Sequence, residues 1–210
     1  MLSRHLPLLL CLLPSLTLAA PHDEDLAYSL GTRLGERLRQ EMPELPLAAL
    51  LDGLRQAYLN EPLRLPPARI DALLEQHERQ AARRRDALAE GRFLAREKAA
   101  HGVRELADGV LVRELRQGGG RKPSAGSRIR VSYRGELADG SLFDRSEGPQ
   151  WFRLGALIPG WQTALLQMPA GAHWRVVIPA AQAYGEEGAG DLIPPNAPLV
   201  FEVELLEVAD

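Results

Sequence analysis

Aromatic side chains make up only 5% of the chain, so their placement carries information. Tyr133, Phe143, Trp161, Tyr184 and Phe201 all fall in the second half. Asp144 directly follows Phe143, and Tyr184 stands before Gly185. Trp161 closes the run Leu157-Ile158-Pro159-Gly160-Trp161, where two chain breakers precede the largest side chain. Singly, each has an ordinary explanation: Asp144 as a turn residue, Trp161 as core, Tyr184 as part of a turn. Together they point to an aromatic cleft. Other chemistries find no footing. The single cysteine, Cys11, sits in an N-terminal apolar run. The five histidines, at positions 5, 22, 77, 101 and 173, have no metal-ligand spacing. Gly118-Gly119-Gly120 is not followed by the Gly-Lys-Ser/Thr of a phosphate loop. Ser132 and Ser141 lie in no nucleophile-elbow sequence. Glu186 and Glu187 read as solvated residues of a Gly-rich loop. Catalysis here must work by environment, without a covalent step, a metal or a cofactor. A net charge of −3 without a basic stripe argues against nucleic acid as a partner.

The elements that hold these residues read as an α+β domain. Ile129, Val131 and Tyr133 alternate with polar residues, as do Trp174, Val176 and Ile178, and Phe201, Val203 and Leu205. Period-two patterns of this kind mark strands with one buried face. Val110 to Arg116 is a further strand. Asp139-Gly140, Pro169-Ala170-Gly171 and Pro194-Pro195-Asn196 mark turns. One short helix fits, Gly160 to Gln167. Residues 107–210 are therefore expected to form an antiparallel sheet packed on one short helix.

The first half is helical. Leu26, Leu30, Leu34 and Leu38 recur every fourth residue from Asp23 to Arg39, beside Ala27, Gly31 and Gly35. Small residues at that spacing let a second helix approach closely. A second helix follows Pro46, with Leu47, Leu50, Leu51, Leu54 and Tyr58 on one face. Pro62, Pro66 and Pro67 end it. From Pro67 a long helix runs to about residue 100, roughly 50 Å at 1.5 Å per residue. It is almost wholly polar, and Arg83-Arg84-Arg85, flanked by acids, reads as a solvated face. Two leucine-striped helices lack the core for a stable small domain, so a homodimer through residues 23–60 is expected. Before them, Arg4 and His5 precede a short apolar run and small residues, the pattern of a secretory signal peptide over residues 1–19. An exported chain lacking that segment contains no cysteine and must stand on its core alone.

Residues 128–208 resemble the FKBP-type (macrolide-binding immunophilin) peptidyl-prolyl cis/trans isomerases. The matching segments are VSYRGELADGSLFDRS, LIPGWQTALLQMPAG and AYGEEGAGDLIPPNAPLVFEVELL, in order and at the family's spacing. Upstream, AYSLGTRLGERL followed by a long helix resembles the dimeric, exported macrophage-infectivity-potentiator subgroup. The resemblance implies four segments: a signal peptide (1–19), a helical dimerisation domain (20–66), a long connecting helix (67–106) and the isomerase domain (107–210). It implies a pocket with Trp161 as floor and Tyr133, Phe143, Leu157, Ile158 and Phe201 as walls. Asp144 sits at the rim, hydrogen-bonded to nearby polar groups. Tyr184 and the Ile158 backbone hydrogen-bond a bound peptide, and Ile193 comes from the loop over the site. Catalytic roles fall to Asp144, Tyr184 and Tyr133. Implied partners are proline-containing unfolded or exported polypeptides and macrolide inhibitors; the implied location is the periplasm, with or without outer-membrane association. Gln150, Ala156 and Val112 depart from frequent family choices, and the loop before Leu157 is short; these touch the rim and leave the floor intact. Two other functions fit the same chain. One is a holdase whose helical arms cradle unfolded clients. The other is a surface factor binding a proline-rich, collagen-like chain.

Overall fold

Proline is the first residue of three of the helices and stands in both gaps between the first three. A computed structural model describes residues 21–210; the expected signal peptide lies outside the described residues. Helix α1 spans Pro21–Glu41, α2 Leu47–Tyr58 and α3 Pro67–Lys98. Asp23 and Glu24 in the first turn of α1 and Arg39 in its last complement the helix dipole. Helix α2 stops where Asn60 takes a left-handed φ of 55°, a conformation asparagine tolerates better than most residues. Pro62 then prevents its resumption.

The chain divides into two units between Arg69 and Ile70. In the first, the leucine stripes remain uncovered. Leu26, Leu30, Leu34, Leu47, Leu51 and Leu54 are all exposed, and α2 has no buried residue. A side chain grown on Gly31 or Gly35 would meet nothing.

The second unit contains α3 from Ile70 onward, seven strands and the short helix α4 (Pro159–Leu165). The strands are β1 (Val103–Glu105), β2 (Leu111–Arg116), β3 (Arg128–Leu137), β4 (Leu142–Arg145), β5 (Gln150–Arg153), β6 (His173–Ile178) and β7 (Leu199–Ala209). All pairings are antiparallel, in the order β1-β2-β6-β7-β3, with β4 and β5 both on the far edge of β3. The architecture is α+β, as the alternation patterns predict. The sheet starts at Val103, ahead of residue 107, because β1 pairs with β2 from Val103↔Arg113 to Glu105↔Leu111. The central strand is β7, which pairs with β3 from Arg128↔Ala209 to Leu137↔Leu199 and with β6 from His173↔Glu204 to Ile178↔Leu199.

Period two gives the sheet two faces. Ile129, Val131, Trp174, Val176, Ile178, Phe201, Val203 and Leu205 point to one side and pack on Trp161, Ala164 and Leu165 of α4. Val177, Leu111 and Val200 point to the other, where Phe93 of α3 covers them. Phe93 is the one buried residue of that long polar helix. Helix α4 approaches the sheet very closely at Gly160. A Cβ there would lie 2.2 Å from Ile178 Cγ2, so only glycine fits. Pro159 beside it presets the first helical turn. Among the described residues, no helix is long and apolar enough to cross a membrane.

Candidate active site

The Pro159-Gly160 step sets where Trp161 goes. With Gly160 pressed on Ile178, the indole enters the sheet's inner face, 5% exposed. Its ring stands perpendicular to Tyr133 (5.3 Å, 89°) and to Phe201 (5.1 Å, 90°). Edge-to-face packing of this kind matches the positive ring edge to the negative ring face. Trp161 is therefore core and cleft wall at once. A cleft of about 240 Å³ opens against it. Tyr133, Phe143, Asp144, Leu157, Ile158, Tyr184 and Phe201 also line this cleft.

Each wall is placed by a local device. Tyr133 lies where β4 gives way to β5 along the edge of β3. Its N–H donates to Ser146 Oγ at 2.9 Å and its carbonyl accepts from the Ser146 N–H at 3.0 Å. These bonds replace a missing ladder rung and fix the ring inward. Phe143, on β4, packs edge-on against Phe201 at 5.5 Å. Gly135 makes that contact possible. A Cβ there would stand 2.7 Å from Phe143 and 2.8 Å from Phe201. Leu157 and Ile158 sit in the turn before α4. Gln162 Nε2 donates to the Leu157 carbonyl at 2.7 Å, and the Ile158 carbonyl accepts from the Trp161 N–H at 3.0 Å. Among the described residues, the Ile158 N–H has no such partner.

The cleft's polar edge is a bonded pair. Tyr133 Oη donates to Asp144 Oδ2 at 2.7 Å. Burial first, then the bond to Asp144 and its negative charge, push the Tyr133 hydroxyl from 10.0 up to about 12. Tyr184 adds to the same shift. The phenol thus stays protonated, and a donor, across the physiological range. Two outcomes are expected in an alkaline titration of tyrosinate absorbance. Tyr133 ionises near pH 12, and Asp144→Asn lowers that value while burial keeps it above 10.0. The folded value lies above the unfolded one. The matching stability is therefore complete below pH about 10 and lost as pH rises through about 12.

Eight of the nine residues expected at the site meet around this cleft. Ile193 is the exception. It is 6% exposed, packs in the core cluster and bridges to Ala189 across the loop. Phe152 and Ala156 also line the cleft. Phe152 touches Tyr133 edge-on at 6.1 Å. Its strand, β5, is four residues long, too short for period two to reveal.

A seven-stranded antiparallel sheet thus wraps one short helix, with a tryptophan-backed aromatic cleft beside it. Residues 119–206 match the family model for FKBP-type peptidyl-prolyl cis-trans isomerase, and residues 23–112 match the domain amino terminal to it. A relative from Pseudomonas aeruginosa, named "Probable FKBP-type 25 kDa peptidyl-prolyl cis-trans isomerase", is 60% identical over 94% of this chain and 87% of its own. "Outer membrane protein MIP" of Legionella longbeachae is 32% identical over 89% of this chain and 86% of its own. The crystal structure of FkpA from Escherichia coli aligns with a TM-score of 0.58 at 30% identity, covering 89% of this chain and 96% of that one. The chain belongs to the FKBP-type peptidyl-prolyl cis-trans isomerases, in their Mip-like subgroup.

Proposed function

We propose that the cleft backed by Trp161 is where this isomerase turns the X-Pro bond, and that the chain works as an exported dimer on unfolded polypeptides. The observation that carries the site is the perpendicular contact of Trp161 with Tyr133 and Phe201 beside the Tyr133–Asp144 bond. Trp161 forms the floor under the substrate proline, and Phe143, Leu157, Ile158 and Phe201 are the walls. Ile193, behind the cleft, holds the loop that carries Tyr184.

The chemistry needs no bond to the protein. X-Pro isomerisation is slow because partial double-bond character sets a barrier of about 18–20 kcal/mol. Midway through rotation the amide has lost its resonance. Its carbonyl is less polar, and its nitrogen is more basic. Water stabilises the planar amide more than the twisted one, so a water-poor aromatic cleft narrows the gap between them. Only contacts better in the twisted state accelerate the reaction. The Tyr184 hydroxyl and the unpartnered Ile158 N–H hold the peptide on either side of the turning bond. Asp144, its carboxylate fixed by Tyr133, orients and polarises the amide. It serves as neither general acid nor general base.

The test is isomerisation of a short X-Pro peptide by residues 20–210, with and without a macrolide. Inhibitable turnover is expected. Asp144→Ala lowers kcat/KM about tenfold, equivalent to about 1.4 kcal/mol of transition-state stabilisation. Unchanged turnover in that variant would remove Asp144 from the site.

Residues 20–66 form the dimerisation domain, 67–98 the connecting helix and 103–210 the catalytic domain. The uncovered leucines of α1 and α2 support both the dimer and an accompanying holdase activity on clients. Residues 1–19 direct export to the periplasm, and a relative named as an outer-membrane protein supports association with that membrane.

A further inference from the structure

Helix α3 is polar nearly all round, yet one of its faces is occupied. Arg83, Glu90, Phe93 and Glu97 are spaced by seven, three and four residues and share that face. Glu97 Oε2 pairs with Arg175 Nη2 at 2.9 Å, and Phe93 covers Leu111, Val177 and Val200. These two contacts anchor the helix to the back of the sheet. The next turns reach a different target. Glu90 Oε1 accepts the backbone N–H of Ala180 at 2.7 Å. Arg83 Nη2 meets Glu186 Oε2 at 3.1 Å.

Both targets flank Tyr184. Ala180 opens a single 3-10 turn, Ala180–Gln182, directly after β6. It is 3% exposed, so its N–H cannot be satisfied by bulk water. Its carbonyl accepts from the N–H groups of both Ala183 and Gly185, each at 2.9 Å. Gly185 in turn accepts from the Asn196 N–H at 2.8 Å. Tyr184 hangs between Ala183 and Gly185. Its place at the cleft thus depends on Ala180, and Ala180 depends on an acceptor from outside its own loop. The Arg83–Glu186 pair is exposed on both sides and contributes little by itself. The half-buried end of the device is Glu90.

We infer that Glu90 of α3 is a positioning residue for the isomerase reaction, holding the Ala180 turn so that Tyr184 stays at the cleft. This rests on the assignment of Tyr184 given above. When the acceptor is lost, the loop samples positions that do not bind peptide. Apparent affinity falls by the fraction of time the loop is competent. A loop competent about one-fifth of the time raises KM about fivefold and leaves kcat within about twofold.

The experiment is a double-mutant cycle in the full chain on an X-Pro peptide, with amide hydrogen exchange at Ala180 followed in parallel. Glu90→Ala is expected to raise KM about fivefold and to speed Ala180 exchange. Glu90→Gln keeps an acceptor oxygen and restores near-native KM. In a Tyr184→Phe background, Glu90→Ala adds nothing further, because the two act as one unit. Glu90→Asp withdraws the oxygen by one methylene while keeping the charge. It gives the same rise in KM should the alanine variant fail to fold. Faster Ala180 exchange with unchanged KM overturns the inference. So does an equal loss in the Tyr184→Phe background. If Tyr184→Phe alone is silent, the Tyr184 assignment fails and this inference with it. If Tyr184→Phe raises KM and Glu90→Ala does not, only this inference fails.

Discussion

Trp161→Leu is expected to cut kcat/KM on an X-Pro peptide about tenfold or more, at temperatures where the variant remains folded. Leucine fills apolar volume, so the inner core beside Ala164 and Leu165 keeps a partner. It cannot offer a flat face to a proline ring, and it cannot take the perpendicular contacts with Tyr133 and Phe201. Such aromatic pairs are worth about 0.5–1.5 kcal/mol each beyond their burial. Trp161→Ala goes further. It removes the floor and opens a cavity, with a stability loss of about 3–5 kcal/mol. Thermal unfolding and turnover, measured on both variants, separate the two roles. If the leucine variant keeps native turnover, Trp161 is core alone and the floor must be sought elsewhere.

The second large effect concerns assembly. Leu30→Glu with Leu34→Glu is expected to convert a dimer into a monomer, read as a halved mass in sedimentation. Both leucines are exposed, at 63% and 44%, on a helix with no covering partner in its own unit. Contiguous apolar surface of this kind marks an interface. Buried carboxylates without partners oppose any association there. Peptide turnover per active site stays within about twofold, since neither residue is among those that line the cleft. Suppression of client aggregation falls with the dimer, because two linked clefts hold one extended client by avidity. A native chain that sediments as a monomer would falsify the dimer outright.

Much of this architecture is legible in the sequence, for reasons that vary by element. Strands β3, β6 and β7 each bury one face, so period two reveals them. The first three helices are bracketed by Pro46, Pro62 and Pro67. The four-residue strands β4 and β5 escape, since each is too short to show a period and both lie on one edge of β3. For that reason Phe152 goes unseen as a cleft residue. The alternation that reveals β3 reaches Tyr133, yet the strand continues through Gly135 to Leu137. The glycine exists to admit two aromatic rings from neighbouring strands, a requirement visible only in three dimensions. The polar stretch of α3 reads as solvated, and for Glu75 and Arg79 it is, their ion pair being exposed at both ends. Glu90 and Glu97 are different because the sheet lies beneath them. No local pattern distinguishes a glutamate that faces water from one that faces a backbone N–H.

The order of the strands has a consequence for biogenesis. β7 sits between β6 and β3 and is the latest strand of the sheet in the chain. Until it emerges from the ribosome, β1-β2-β6 and β3-β4-β5 are separate half-sheets with their edges open. Its partners in β3 lie far upstream, as far as Arg128 for Ala209, and long-range pairings of this kind form slowly. The sheet therefore cannot close before β7 has been made. For the export proposed above, this dependence is useful: the sheet stays open until β7 has followed the other six strands.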